Sequence, residues 1–229
     1  MQITTSNLTR QSGLAALTAG IIFAGIQPIH PPDTLASVTT TAWAIITPLK
    51  TAMCLLFLLG ITGLYARQAN VSGWLGLAGY LLLSLSWALQ TAFIFAEAFV
   101  LPALAPSAPK FVDGVLGLAS GDASEVNLGV LPVLYAVVGI TYILGGLLFG
   151  ISTLRAGILS RWPAGLLAVA AALTPAIALV PHQIGRFGAV PTAIALAWLG
   201  YELWSEQSGQ AAPQRGIVRQ PEVTRSASF

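Results

Sequence analysis

The sequence predicts an all-α, polytopic membrane protein, a bundle of six transmembrane helices. Three observations predict it: a scarcity of charge, six long apolar stretches, and an uneven division of basic residues among the connections. Only 8% of the 229 residues are charged and 55% are hydrophobic, where a soluble domain carries about 25% charged residues. The net charge of +2 is too small to point to nucleic acid, so the expected partner is the lipid bilayer.

A helix crosses the hydrocarbon layer with about 20 apolar residues. Stretches of that kind cover 12–30, 39–66, 72–105, 128–153, 162–181 and 186–204, so that 1–204 reads as one transmembrane domain. They are helices because a lipid-exposed span must satisfy its own backbone hydrogen bonds, and the short alternating strands of a barrel are missing. The first could pass for a signal peptide, with Arg10 before it and TLAS at 34–37 after it. Its length and small residues favour a retained span. The third exceeds one span and is expected to tilt, or to break near Pro102. Residues 205–229, rich in Gln, Arg, Ser and Pro, read as a disordered cytoplasmic tail.

Basic residues set the orientation. With the N-terminus inside, the inner segments hold Arg10, Arg67, Arg155, Arg161, Arg215, Arg219 and Arg225, and the outer loops hold only Lys110 and Arg186. That is the positive-inside pattern, with both termini cytoplasmic and the chain multi-pass in a plasma membrane. Asp33, Asp113, Asp122 and Glu125 fall outside, while Tyr65, Trp74, Trp162 and Trp204 fall at the inner boundary, as an aromatic belt should.

Small residues recur at every fourth position in the first span (Ser12, Ala16, Gly20, Ala24) and in the fifth (Ala164, Ala168, Ala172, Ala176). Gly146 and Gly150 do so in the fourth. Such stripes let helices approach closely, within one chain or between copies. The first and fifth sets differ by 152 positions, an offset that also aligns Gly13 with Gly165 and His30 with His182. The reading is a possible parallel repeat of one hairpin, although apolar sequence produces such matches cheaply.

Polar residues inside the spans are the candidate site. Counting 1.5 Å per residue from the inner belt puts Lys50, Gln90 and Tyr142 at mid-depth, and His30, Glu97, Tyr135 and His182 in an outer layer, with Arg186 just beyond. Gln90 and Glu97 are seven apart and share one helix face. Since the ionisable groups gather in the outer half, the expected arrangement is a vestibule open to the outside above an apolar floor. A mid-membrane lysine costs about 2.5–3.5 kcal/mol on insertion scales, so Lys50 is expected either to pair with Glu97 or to snorkel to the surface. The plainer alternatives are interfacial histidines, packing tyrosines and a solvated carboxylate at a helix end.

Catalytic signatures are sparse. HExxH, GxSxG, P-loop and CxxC patterns are missing, and Cys54 stands alone in an apolar run. Two histidines at one depth could ligate a single haem iron, but no metal or other cofactor is expected. Glu97 with His30 and His182 is the nearest thing to an acid–base set.

Residues 60–83, GITGLYARQANVSGWLGLAGYLLL, followed by EAFVLPALA at 97–105, resemble a family of small multi-span bacterial membrane proteins of actinobacterial type. These carry LYARQ at an inner loop and an EAFVLPALA-like segment. The resemblance covers mainly residues 13–105. It implies a polytopic fold, places Arg67 and Glu97 in a recurring pattern, and brings no catalytic residue. Many members of the family have a histidine in the second span near position 48, where this chain has Pro48, with Lys50 two residues on. The leading expectation is an outward-facing polar pocket that binds, or moves, a small molecule or proton. The competing ones are an intramembrane enzyme acting on a lipid or isoprenoid, and a structural or partner-binding subunit.

Overall fold

The computed structural model describes residues 4–177, 179–180 and 182–210. Among these residues the chain is all-α. Its helices are α1 (Thr5–Ile26), α2 (Thr41–Phe95), a π-helical turn (Ala96–Val100), α3 (Leu101–Leu104), α4 (Pro109–Gly117), α5 (Leu131–Ala156), α6 (Arg161–Ile177), α7 (His182–Gly185) and α8 (Ala189–Gln210). Two continuous helical stretches among the described residues, Thr41–Leu104 and Leu131–Ala156, are long and apolar enough to cross a membrane.

The first of these is not one rod. A straight helix would hold Trp43 and Glu97 about 81 Å apart, yet Trp43 Nε1 donates to the Glu97 carbonyl at 2.9 Å. The reversal is at Gly73, where φ is +58° and ψ −161°, a conformation open to a residue without Cβ. The limbs 41–72 and 74–95 lie antiparallel, with Tyr65 and Tyr80 stacked at 4.5 Å beside the turn. The inner loop expected between the second and third spans is therefore a single left-handed residue between helical turns.

Six long helical segments thus form an up-and-down ring. The first limb of α2 packs on α1, α1 on α8, α8 on α6, α6 on α5, and α5 on the second limb. Every neighbouring pair is antiparallel. Thr5 and Gln210 consequently lie at one end, together with Arg10, Arg67, Arg155 and Arg161. There Arg10 sits over the Trp204 ring, Arg67 pairs with Glu206 at 3.2 Å, and Glu202 accepts from the Ser160 N–H. Residues 205–210, expected in the tail, are the last turn and a half of α8. The remainder of that tail lies outside the described residues.

At the seams, glycine and alanine allow backbone contact. A Cβ on Gly20 would sit 2.5 Å from the Ala193 carbonyl oxygen, and one on Gly150 would sit 2.7 Å from the Ala168 nitrogen. Gly146 meets the Ala171 methyl, and Ala16 is packed against Gly60 and Gly200. Ala24 is half-buried. The alanine stripe of the fifth span needs correction. Ala168 is buried, but Ala172 and Ala176 are exposed, and the buried face of α6 is Ala164, Leu167, Ala168, Ala170 and Ala171. A spacing of four drifts about 40° per step on a helix of 3.6 residues per turn, so the far end of such a stripe rotates off the seam.

At the opposite end, α4 closes the bundle. Val112 and Leu116 on α4 bury against Val38, Trp43 and Leu101, a short amphipathic element that hydropathy alone does not reveal.

Candidate functional site

The break expected near Pro102 takes a specific form, and it shapes the site. Within the π-helical turn the Leu101 N–H bonds to the Ala96 carbonyl, five residues back. The Glu97 carbonyl would next accept from residue 102, but a proline has no N–H. The Trp43 indole Nε1–H supplies the missing hydrogen bond at 2.9 Å. This contact ties the two limbs of α2 together and fixes the backbone on which the Glu97 carboxylate is mounted. π-Turns within α-helices are frequent at functional sites.

Lys50, two turns after Trp43 on the same limb, completes a trio of one ammonium, one carboxylate and one imidazole. Its Nζ lies 2.9 Å from Glu97 Oε2 and 2.9 Å from His30 Nε2. An ammonium group only donates, so His30 Nε2 accepts. His30 Nδ1 then carries the proton and donates to the Pro31 carbonyl at 2.6 Å. The imidazole is thereby held neutral, in one tautomer. Arg186, from the connection before α8, donates from Nη1 to the His30 carbonyl at 2.9 Å. The Lys50 and Glu97 side chains are only 14% and 18% exposed, so their pairing offsets a large part of the cost of removing each from water.

The trio borders a cavity of about 300 Å³ at the centre of the bundle. Of the sequence-derived candidates, His30, Lys50, Gln90, Glu97, Tyr135, Tyr142 and Arg186 all line it. The side chain of His182 lies outside the described residues. Two layers of polar groups were expected, but Lys50 reaches outward from mid-depth and joins the outer one. Tyr142 stands beside Thr192 on α8, and Ser86 Oγ donates to the Val138 carbonyl at 3.0 Å. The walls between are apolar and aromatic: Phe23, Ile26, Met53, Trp87, Ile94 and Val138. Trp87 stands in an aromatic cluster with Phe57 at 4.4 Å, Phe23 at 5.5 Å and Tyr142 at 6.1 Å. Beyond it, Phe57, Ile61, Leu64 and Leu199 are fully buried and form the floor.

Sequence reasoning missed Trp43, Trp87 and Asp33 as parts of this site. Asp33 lines the cavity mouth. Trp43 could have been found from the proline five residues after Glu97, which leaves a carbonyl in need of a donor. Among the described residues, no group of three or more His, Cys, Asp or Glu side chains is placed to hold a metal ion. Cys54 is buried in the core.

No family model, curated protein or solved structure matches the chain.

Proposed function

We propose that this chain is a six-span integral membrane protein, with both termini cytoplasmic, whose central cavity opens to the outer face and binds a small molecule. The bacterial plasma membrane is the proposed setting, on the resemblance of residues 60–83 and 97–105. The single observation that carries the binding reading is the cavity of about 300 Å³ bordered by the Lys50–Glu97–His30 trio. That volume is at the lower end of the range for small-molecule sites, about 300–1,000 Å³. Ionisable groups inside a membrane bundle are costly and, where they occur, mark substrate or ion pathways. The fully buried apolar floor favours binding over a continuous conduit. The six-span reading rests on the antiparallel ring, on the fold-back at Gly73 that makes two spans of one long helical stretch, and on the gathering of Arg10, Arg67, Arg155 and Arg161 at one end.

Thiol labelling tests orientation and access together. Native Cys54 is buried, so Gln90→Cys places one reactive thiol in the cavity. A membrane-impermeant maleimide added outside intact cells is expected to label Gln90→Cys, and also an Asp122→Cys control on the connection between α4 and α5. Labelling of both only after the inner face is exposed would reverse the topology. Labelling of the control alone would close the cavity to the outside and sink the binding reading.

A further inference from the structure

Inward of the charged mouth, the cavity holds hydrogen-bond donors at two depths, Tyr135 nearer the mouth and Gln90 and Trp87 along the second limb of α2. Trp87 is 3% exposed and lines the cavity, and its Nε1–H has no partner among the described residues. The Gln90 amide and the Tyr135 hydroxyl, also in the lining, make no hydrogen bond among those residues. Gln90 and Trp87 stand seven and ten residues before Glu97, about 10 and 15 Å deeper along the helix. The Trp87 Nε1–H, buried without an acceptor among the described residues, carries a desolvation penalty that a bound acceptor would remove. The formal charges of the lining cancel, with Lys50 and Arg186 against Glu97 and Asp33. A bound anion would face two carboxylates. A bound cation would face an ammonium and a guanidinium.

We propose that the cavity, inward of the charged trio, takes an uncharged, ring-bearing molecule whose carbonyl oxygens accept hydrogen bonds from Trp87, Tyr135 and Gln90. The inference rests on the proposed binding role of the cavity and adds the ligand's chemical class. The aromatic cluster around Trp87 supplies a rigid flat wall for the ring. The donors set which atoms of the ring system turn inward. The charged trio stays intact at the mouth and does not contact the ring.

Titration calorimetry on the full chain in detergent, with matched probes, decides it. The probes are a short-chain 2-alkyl-1,4-naphthoquinone, the corresponding alkylnaphthalene without carbonyls, and naphthalene derivatives carrying a carboxylate or an ammonium. The quinone is expected to bind about tenfold more tightly than the hydrocarbon, and more tightly than either charged probe. Tyr135→Phe keeps the ring and removes the donor, so it is expected to abolish most of that preference while leaving hydrocarbon binding unchanged. Gln90→Leu should act in the same direction. Trp87→Phe should do so as well, but it also opens space in the core, so Tyr135→Phe is the deciding variant. Equal binding of quinone and hydrocarbon, tighter binding of a charged probe, no binding of any probe, or an unaltered preference in Tyr135→Phe would each overturn the assignment. If Gln90→Cys is labelled from outside while the carbonyl preference is missing, the open cavity stands and only the ligand class falls.

Discussion

The two halves of this bundle solve opposite problems. In the half near Arg10 and Arg67 the helices meet backbone to backbone through Gly13, Gly60, Gly150 and Gly200, and polar links such as Gln68 to Thr153 and Arg67 to Glu206 are added to that packing. In the half near Glu97 the helices stand apart around a cavity, and polar groups link them: Trp43 to Glu97, Lys50 to Glu97 and His30, Arg186 to His30. Between helices in lipid, close packing and hydrogen bonds are the available sources of cohesion, because lipid tails are as apolar as the side chains. The first half combines both, and around the cavity the second predominates. Tight seams hold the ring closed around the cavity and its π-helical turn. The contrast makes substitutions in the two halves fail in different ways.

The largest effect is expected at a seam. Gly20→Leu must place its side chain where even a Cβ would lie 2.5 Å from the Ala193 carbonyl oxygen and 2.7 Å from the Ala197 methyl. Those atoms belong to a neighbouring helix and cannot turn aside. Overpacking in cores costs about 1–3 kcal/mol, occasionally more, and a clash with backbone belongs at the upper end. The variant should lose folded protein during detergent extraction, read as a collapsed monodisperse peak. A wild-type melting temperature would mean that α1 and α8 are not in contact as described.

Next comes the charged trio. Lys50→Met and Glu97→Gln each strand one charged or polar partner, and the double variant should recover part of the loss. Breaking a fully buried pair costs about 3–5 kcal/mol. With the side chains 14% and 18% exposed, each single loss should fall below that range. Melting temperatures from all four proteins form a double-mutant cycle. Strict additivity would show that the two groups are separately solvated, and the cavity would lose its main electrostatic feature.

Trp43→Phe should cost less, and only in the cavity half. It removes the indole N–H and leaves the Glu97 carbonyl without a donor, a penalty of about 1–3 kcal/mol for a buried group. Because the same bond mounts Glu97, the rate of Gln90→Cys labelling on a Trp43→Phe background should change while the seams are untouched. An unchanged melting temperature with unchanged labelling would show that the π-helical turn is held by other contacts.

These cases also show what could be read from the residues and what could not. The six helical segments were legible because each is a long apolar stretch bounded by charge or by Gly and Pro, and that pattern is local. Lys50 and Glu97 stood out because charge is so scarce. Their joining with His30 was not legible. Depth counted along helix axes ignores the length of a lysine stem and assumes one helical register throughout. The turn at Ala96–Val100 alters that register, and only the geometry shows which carbonyl it strands. Helix α4 was missed because nine residues buried against Val38, Trp43 and Leu101 depend on a surface that exists only after the bundle has formed.

The smallest effect is expected on α6, and it separates seams within the chain from seams between copies. Ala172 belongs to the four-residue alanine spacing but is exposed, whereas Ala168 one turn earlier is buried. In the proposed membrane setting an exposed Ala172 faces lipid, and Ala172→Leu exchanges one apolar surface for another. Its melting temperature should stay within the range of neutral surface changes, about 0.5 kcal/mol, in contrast to Gly20→Leu. Small-residue faces also mediate association between helices of different chains. The measurement that discriminates is therefore the mass of the protein–detergent complex by light scattering, for wild type and Ala172→Leu side by side. Equal masses together with equal stability mean that the outer face of α6 is in contact only with lipid. A smaller complex for Ala172→Leu would instead make Ala172 and Ala176 the contact between two copies, and the small-residue seams would extend beyond the single ring.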